Sequence, residues 1–128
     1  MLAPVVLFVY NRLDHTMNVI DSLKKNQLSE ETDLFVFSDA AKNEKASEAV
    51  KSVREYLNEA GWKDSFRKVT IVEAEKNKGL AKSIIGGVTD VLKEYGKVIV
   101  LEDDLVLSPY FLKYMNGALD YYQNVSDV

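Results

Sequence analysis

The stretch Val98-Ile99-Val100-Leu101-Glu102-Asp103-Asp104 joins an apolar segment directly to three consecutive carboxylates. A continuous run of branched apolar residues is typical of a strand that is buried on both faces, as in a parallel sheet. Three adjacent acids repel one another and raise one another's pKa unless a positive charge lies among them. A divalent cation would supply that charge, so the stretch predicts a buried strand that ends at a metal site.

Three other apolar segments precede this strand, and a helical pattern follows each of the four segments. The predicted strands cover residues 4–10, 33–38, 69–73 and 97–101. Between them, apolar residues recur every three to four positions, as on the buried face of an amphipathic helix. Gly61 and Gly96 are predicted to end the second and third helices, and Ser108-Pro109 to begin the last. This alternation predicts an α/β fold with right-handed crossovers and a mostly parallel, open sheet that carries helices on both faces.

Length and composition predict one domain, residues 1–128, of a globular protein. The formal charge of −4 argues against nonspecific nucleic-acid binding, which needs a basic face. The absence of cysteine excludes disulfides and thiolate metal sites, and a single histidine argues against a His-rich zinc site. No segment reaches the roughly 18 apolar residues of a membrane span, and the apolar start lacks the basic residues of a signal peptide. We therefore expect a cytoplasmic location.

Polar residues follow each of the predicted strands, at the points where ligands bind to open parallel sheets. They are Asn11 and Arg12, Ser38 and Asp39, Asn77 to Gly79, and Glu102 to Asp104. Structural roles compete with binding roles at each position: Asp39 and Asp104 could cap turns, and Arg12 could be a surface cation. The segment from Asn77 to Gly79 is a turn sequence that suits the start of a helix as well as it suits a phosphate. His15, in the first turn of a helix, is assigned no role.

The three acids are the candidates with the weakest structural alternative, because adjacent acids between apolar segments rarely serve packing. Carboxylates without histidine or cysteine suit a hard cation such as Mg²⁺ or Mn²⁺. Mg²⁺ commonly binds one or two carboxylates and completes its shell with water and phosphate oxygens. The site therefore predicts a nucleoside diphosphate ligand, whose departure as a leaving group the metal would assist.

Four segments of the chain together carry a family resemblance. They are Leu101-Glu102-Asp103-Asp104-Leu105 followed by Ser108-Pro109-Tyr110-Phe111, the strand that ends in Asn11-Arg12, the strand that ends in Ser38-Asp39, and the Asn-x-Gly turn at Asn77-Lys78-Gly79. The combination resembles the nucleotide-binding half of GT-A glycosyltransferases, which are built around a DxD-type metal motif. The likeness is greatest to the inverting N-acetylglucosaminyltransferase I group, and it extends over nearly the whole chain.

The resemblance implies a site for a UDP-sugar donor and a divalent metal, Mn²⁺ or Mg²⁺. In the acidic segment, Asp104 would bind the metal, Asp103 would contact the ribose and Glu102 would lie near the sugar. Around the base, Asp39 would bind the uracil, Arg12 would lie by the base or the diphosphate, and Asn77 and Gly79 would shape the wall. The acceptor is not indicated.

Enzymes of the resembling family are longer, with an acceptor site and a catalytic base beyond the acidic motif. In this chain the acids after Asp104 are Asp120 and Asp127, in the predicted last helix and the tail. We therefore expect an N-terminal fragment or a truncated member that forms a donor site without the catalytic base.

Three other functions compete with a glycosyltransferase domain. A binding module without catalysis would share the donor site. A receiver-type signalling domain would need an acidic pair where Asn11-Arg12 stands and a lysine after a fifth strand, and this pattern is absent. A nucleotidyltransferase would need a glycine-rich loop after the first strand, which is also absent.

Overall fold

The computed structural model describes residues 2–105 and 107–123. Its strands are β1 (Val5–Val9), β2 (Asp33–Ser38), β3 (Lys68–Glu73) and β4 (Ile99–Glu102). Its α-helices are α1 (Leu13–Lys24), α2 (Ser47–Leu57), α3 (Leu80–Tyr95) and α4 (Phe111–Gln123). Short 3-10 helices occur at Ser29–Glu31, Glu44–Ala46 and Lys63–Ser65. In this part of the chain, no helix is both long and apolar enough to cross a membrane.

The four strands form one parallel sheet in the order β3-β2-β1-β4. The chain moves outward from β1 to β3 and then returns to place β4 on the other side of β1. Phe8 pairs with Phe37 on one side and with Glu102 on the other, so the carboxyl ends of these three strands are level. The sheet thus confirms the predicted α/β class, and its strand order reverses at β1, where open α/β sheets bind ligands.

Helices cover both faces of the sheet, as predicted. Every residue of β1 is buried, which explains its lack of polar alternation. Leu7 lies in the larger core with Ile20 of α1, Leu57 of α2 and Leu112 of α4. The opposite face is covered by α3, against which the smaller core forms, with Val6, Phe8 and Val91 as its buried members. Strand β1 therefore contributes side chains to the cores on both faces of the sheet.

The predicted helix end at Gly96 is confirmed, whereas the one at Gly61 is wrong. Gly96 follows α3 with φ of 77°, and its N–H donates to the Leu92 carbonyl at 2.8 Å. Helix α2 ends earlier, at Leu57. Two side chains satisfy carbonyls of its last turn: Asn58 Nδ2 donates to the Arg54 oxygen and Trp62 Nε1 to the Tyr56 oxygen.

Helix α4 begins at Phe111, later than Ser108-Pro109 predicts. The Ser108 hydroxyl accepts a hydrogen bond from the Tyr110 N–H and closes a turn before the helix. The side chain of Asn26, after α1, caps the helix instead: its Oδ1 accepts from the Leu112 N–H at 2.8 Å, and its Nδ2 donates to the Ser108 carbonyl. A cap from so distant a residue leaves no local sequence signal.

Asp33 anchors the amino edge of the sheet, opposite the polar strand ends. Arg67 donates two hydrogen bonds to this buried carboxylate, at 2.7 and 2.6 Å, and the Tyr95 hydroxyl donates a third at 2.7 Å. Burial by itself would raise the pKa of Asp33, but the Arg67 and Tyr95 hydrogen bonds and the Arg67 charge lower it overall. Burial and the bond to Asp33 raise the pKa of Tyr95 to about 12.

We expect Asp33→Ala to lower the free energy of unfolding at about pH 7 by about 2–3 kcal/mol, because it removes the acceptor of three hydrogen bonds. A lowered carboxylate pKa stabilises the fold above the unfolded value of about 3.9 and loses that effect as pH falls through the folded value. Urea unfolding at about pH 7 and about pH 2 should therefore show the difference between wild type and variant shrinking in acid. An equal difference at both pH values would contradict this assignment, and Glu30→Ala, at an exposed neighbouring acid, is the control.

Candidate functional site

A cavity of about 490 Å³ opens at the carboxyl edge of the sheet, where β1, β2 and β4 end. The structure brings all the predicted site residues to this cavity. They are Arg12, Asp39, Asn77, Gly79, Glu102, Asp103 and Asp104. The parallel register explains their meeting, because each follows, or in the case of Glu102 ends, a strand whose carboxyl end lies at this edge. The floor is apolar and includes Phe8 and Phe37, whose rings stack with centroids 5.4 Å apart.

The acidic turn forms the β4 side of the cavity. Glu102 is the last residue of β4, and Asp103 and Asp104 form the turn that follows. Glu102 and Asp103 are half-buried, whereas Asp104 is exposed. Burial raises the pKa of Asp103; the charge of His15 opposes this rise, that of Asp104 adds to it and that of Arg12 opposes it. The turn therefore presents one partly desolvated and one open carboxylate to the cavity.

The predicted metal has a suitable donor set here but no complete cage. Within residues 2–105 and 107–123, no three His, Cys, Asp or Glu side chains converge to form a cation site. The backbone explains this, because successive side chains leaving a strand point in different directions. Asp103 and Asp104 nonetheless fit a hard cation that takes one or two protein carboxylates and fills its shell with water and phosphate oxygens.

The Asp39 carboxylate forms four hydrogen bonds within the protein. Its Oδ1 accepts from the N–H groups of Ala40 at 2.8 Å and Lys78 at 3.0 Å. Its Oδ2 accepts from the Gly79 N–H at 3.0 Å and from Asn77 Nδ2 at 3.1 Å. The carboxylate thereby joins the end of β2 to the loop that precedes α3.

The loop from Asn77 to Gly79 acts as a turn in this structure. Gly79 has φ of 80°, which favours glycine at this position, and α3 begins at the next residue. The Lys78 and Gly79 N–H groups, which the sequence offers as candidate phosphate donors, donate to Asp39. Asn77 Nδ2 also donates to the Ala40 carbonyl at 2.8 Å. These two N–H groups therefore have the structural role, in a turn, that the sequence offers as the alternative to phosphate binding.

Sequence reasoning missed Tyr10 and Lys42, which also line the cavity. The Tyr10 hydroxyl accepts a hydrogen bond from the Lys42 N–H at 2.8 Å, which fixes the loop after β2 against the end of β1. Lys42 adds a second cationic residue to the cavity lining, in addition to Arg12. The position of Tyr10 directly after an apolar strand was a usable signal, whereas Lys42 lies in a loop whose path the sequence does not specify.

Arg54 of α2 supports the site from behind. Its Nε donates to Ser38 Oγ at 3.0 Å, and its NH2 group donates to the carbonyls of Ser38 and Ala74 at 3.1 and 2.9 Å. Arg54 thus ties the end of β2 to the end of β3, directly before Asp39. Nothing local in the helical pattern of α2 distinguishes this arginine from a surface cation.

Two further residues named in the sequence analysis are His15, which was assigned no role, and Asp120, one of the acids after Asp104. His15 is half-buried on α1, and its Nδ1 has no hydrogen-bond partner among the described residues. A protonated His15 would lower the pKa of Asp103, a coupling that the sequence did not suggest. Asp120 lies on α4 and forms an ion pair with Lys97 at 3.6 Å, and it does not line the cavity. Asp127 lies outside the described residues.

Comparison with known proteins gives matches in structure only. No protein-family model and no curated protein matches this chain. A structure of S. aureus TarS matches over 96% of this chain with 18% identity and a TM-score of 0.65, and one of TarS 1-349 matches with 0.63 at the same coverage and identity. The mannosyltransferase PcManGT from Pyrobaculum calidifontis, in complex with GDP-Man and Mn²⁺, matches over 91% with 17% identity and a TM-score of 0.56.

Over the matched residues the chain shares the fold of these three structures, which is GT-A-like. It spans 20% of the TarS chain, 33% of TarS 1-349 and 31% of the mannosyltransferase chain. In this fold the cavity lies at the carboxyl edge of the parallel sheet, the edge at which the sequence predicts a binding site. The closer likeness to the N-acetylglucosaminyltransferase I group stays a prediction.

Proposed function

We propose that this chain is the donor-binding domain of a glycosyltransferase, and that it binds a UDP-sugar through Mn²⁺ or Mg²⁺. The observation that carries the proposal is the meeting of all the predicted site residues around one cavity at the carboxyl edge of the sheet. The GT-A-like fold supports it independently, because that likeness comes from backbone geometry rather than from the motif. In the complete enzyme the sugar passes to an acceptor hydroxyl.

The residues of the cavity have distinct roles in this proposal. Asp104, open to solvent at the acidic turn, binds the metal; Asp103 contacts the ribose and Glu102 lies near the sugar. The metal, when bound, neutralises charge that develops on the departing diphosphate. Arg12 and Lys42 supply further positive charge along the same cavity. This balance of charges lets an acidic chain hold an anionic donor.

Catalysis requires groups that this part of a glycosyltransferase need not contain. A base removes the proton of the acceptor hydroxyl, the hydroxyl oxygen attacks the anomeric carbon, and the nucleoside diphosphate leaves. The chain spans between 20% and 33% of the three matching chains named above, so the base and the acceptor site belong to the proposal for the whole enzyme. A binding module without catalysis is the second candidate, since it needs the same cavity and no base. A cytoplasmic location remains our expectation.

Calorimetric titration of the wild type with UDP and with GDP, each with and without Mn²⁺, tests the proposal. We expect UDP to bind, and its affinity to rise at least about tenfold with the metal, because Asp104 would hold a cation whose charge attracts the diphosphate. GDP is included because the mannosyltransferase was solved with GDP-Man and Mn²⁺. A folded protein that binds neither nucleotide under either condition would contradict the proposal, and labelling by acetyl phosphate would favour the receiver alternative.

A further inference from the structure

We propose that Asp39 is a positioning residue, which builds the wall of the nucleotide cavity by holding the loop from Asn77 to Gly79 and does not contact the nucleobase. This inference rests on the proposed function, because the wall is that of the proposed donor site. It replaces the uracil contact that the family resemblance implies for Asp39. Asp39 is the cavity residue that the family resemblance assigns to the nucleobase, and this proposal gives it a structural role in the site instead.

The acceptor capacity of the Asp39 carboxylate is used within the protein. An ionised carboxylate offers about four lone-pair positions. Four donors occupy them, at distances from 2.8 to 3.1 Å, and three of the four are backbone N–H groups. The residue is 9% exposed. A nucleobase N–H could reach this carboxylate only by displacing one of these donors and leaving it unpaired, which is unfavourable.

The backbone beneath Asp39 is fixed from both sides, so the carboxylate cannot easily turn toward a ligand. The Asp39 N–H donates to the Val9 carbonyl at 3.2 Å, which joins it to β1. Arg54 holds the preceding residue, Ser38, and also the Ala74 carbonyl at the end of β3. Contacts with β1, β2 and the end of β3 therefore fix the position of Asp39, in addition to its hydrogen bonds to the loop.

The amide of Asn77 has a determined orientation, which gives the test a matched pair of variants. A backbone carbonyl and a carboxylate only accept hydrogen bonds, so the atom that contacts the Ala40 oxygen and Asp39 Oδ2 must be Nδ2. Asn77→Asp replaces this donor by an oxygen that faces two acceptors. Asp39→Asn replaces an acceptor by an amide that faces donors. The two substitutions disturb the same contact from its two sides.

Hydrogen exchange in the ligand-free protein measures directly how firmly Asp39 holds the loop from Asn77 to Gly79. We expect Asp39→Asn to speed exchange of the Lys78 and Gly79 amides by about tenfold, because an amide cannot accept at both positions. Asn77→Asp should loosen the same two amides. The double variant restores one donor and one acceptor across the contact and should recover part of the protection. Unchanged exchange at both amides in Asp39→Asn would overturn the proposal.

Base selectivity separates positioning from direct contact. With Mn²⁺ present, we expect Asp39→Asn to weaken UDP and CDP by a similar factor, about tenfold, and to leave their ratio unchanged. An asparagine that touched the base could donate to cytosine N3, which a carboxylate cannot, so direct contact predicts a shift toward CDP. A shift of that kind would overturn the proposal. If the wild type binds no nucleotide, the proposed function fails, and the exchange data alone decide the role of Asp39.

Discussion

Asp104→Ala should abolish metal-dependent nucleotide binding and leave the fold intact. Asp104 is exposed in the turn after β4, so its side chain supports no packing that the substitution would disturb. Loss of a group that merely orients a metal ligand weakens metal binding by about 10–100-fold, so loss of the ligand itself should exceed about 100-fold. Calorimetric titration of UDP in the presence of Mn²⁺ measures the effect, and the metal-free affinity should change little.

Asp64→Ala is the matched control for this prediction. Asp64 is also exposed, in the 3-10 helix before β3, and therefore lies toward the amino edge of the sheet. The substitution changes the net charge by the same amount, so it reports any general effect of a lost negative charge on an anionic ligand. Binding that survives in Asp104→Ala, or that falls equally in both variants, would contradict a metal role for Asp104.

Gly87→Val should lower the free energy of unfolding by about 3 kcal/mol, because α3 packs closely against the sheet at this residue. A Cβ atom there would lie 3.0 Å from Phe8 Cε1 and 3.2 Å from Phe37 Cζ. Phe8 is buried and stacks on Phe37, so neither ring can retreat without moving the other. Urea unfolding measures the loss. Both rings also line the cavity that we propose holds the nucleotide, so UDP affinity should fall as well.

Gly86→Val provides the control at the neighbouring position of the same helix. A Cβ atom at Gly86 would meet nothing within 4 Å, and valine has a somewhat higher helix propensity than glycine. We expect the free energy of unfolding of Gly86→Val to stay within about 0.5 kcal/mol of wild type. Equal destabilisation by the two variants would show that the helix itself, and not its contact with Phe8 and Phe37, determines the effect.

The sequence predicts most of the fold because its strongest signals are local. The apolar segment that forms β1 carries no polar alternation, which indicates burial on both faces, and Gly96 occupies the left-handed position that ends α3. The helix boundaries that the sequence misplaces depend on side-chain contacts that apolar periodicity does not show. Asn26, 86 positions before Leu112, caps α4, and Trp62 satisfies the Tyr56 carbonyl of α2. The spacing of apolar residues in the helices encodes neither contact.

The candidate site follows the same division. Residues at strand ends could be placed at one edge from the sequence, because parallel strands align their carboxyl ends there. The uses of those residues depend on distances that only the fold supplies. Asp39 and Asn77 are 38 positions apart in the chain, yet they form one contact at 3.1 Å. Arg54 supports the site by donating to the carbonyls of Ser38 and Ala74, and its position in the helical pattern does not indicate this role.

Paramagnetic broadening by Mn²⁺ tests most directly whether the carboxyl-edge cavity is a metal-assisted nucleotide site. Substoichiometric Mn²⁺ should be added to the isotope-labelled protein with UDP present, and amide signals followed by NMR. We expect the amides of Asn11, Arg12 and residues 102–105 to broaden first, while those of Ser29–Glu31 and Lys63–Ser65, at the amino edge, stay sharp. Broadening centred at the amino edge, or none at the acidic turn, would contradict the proposed site.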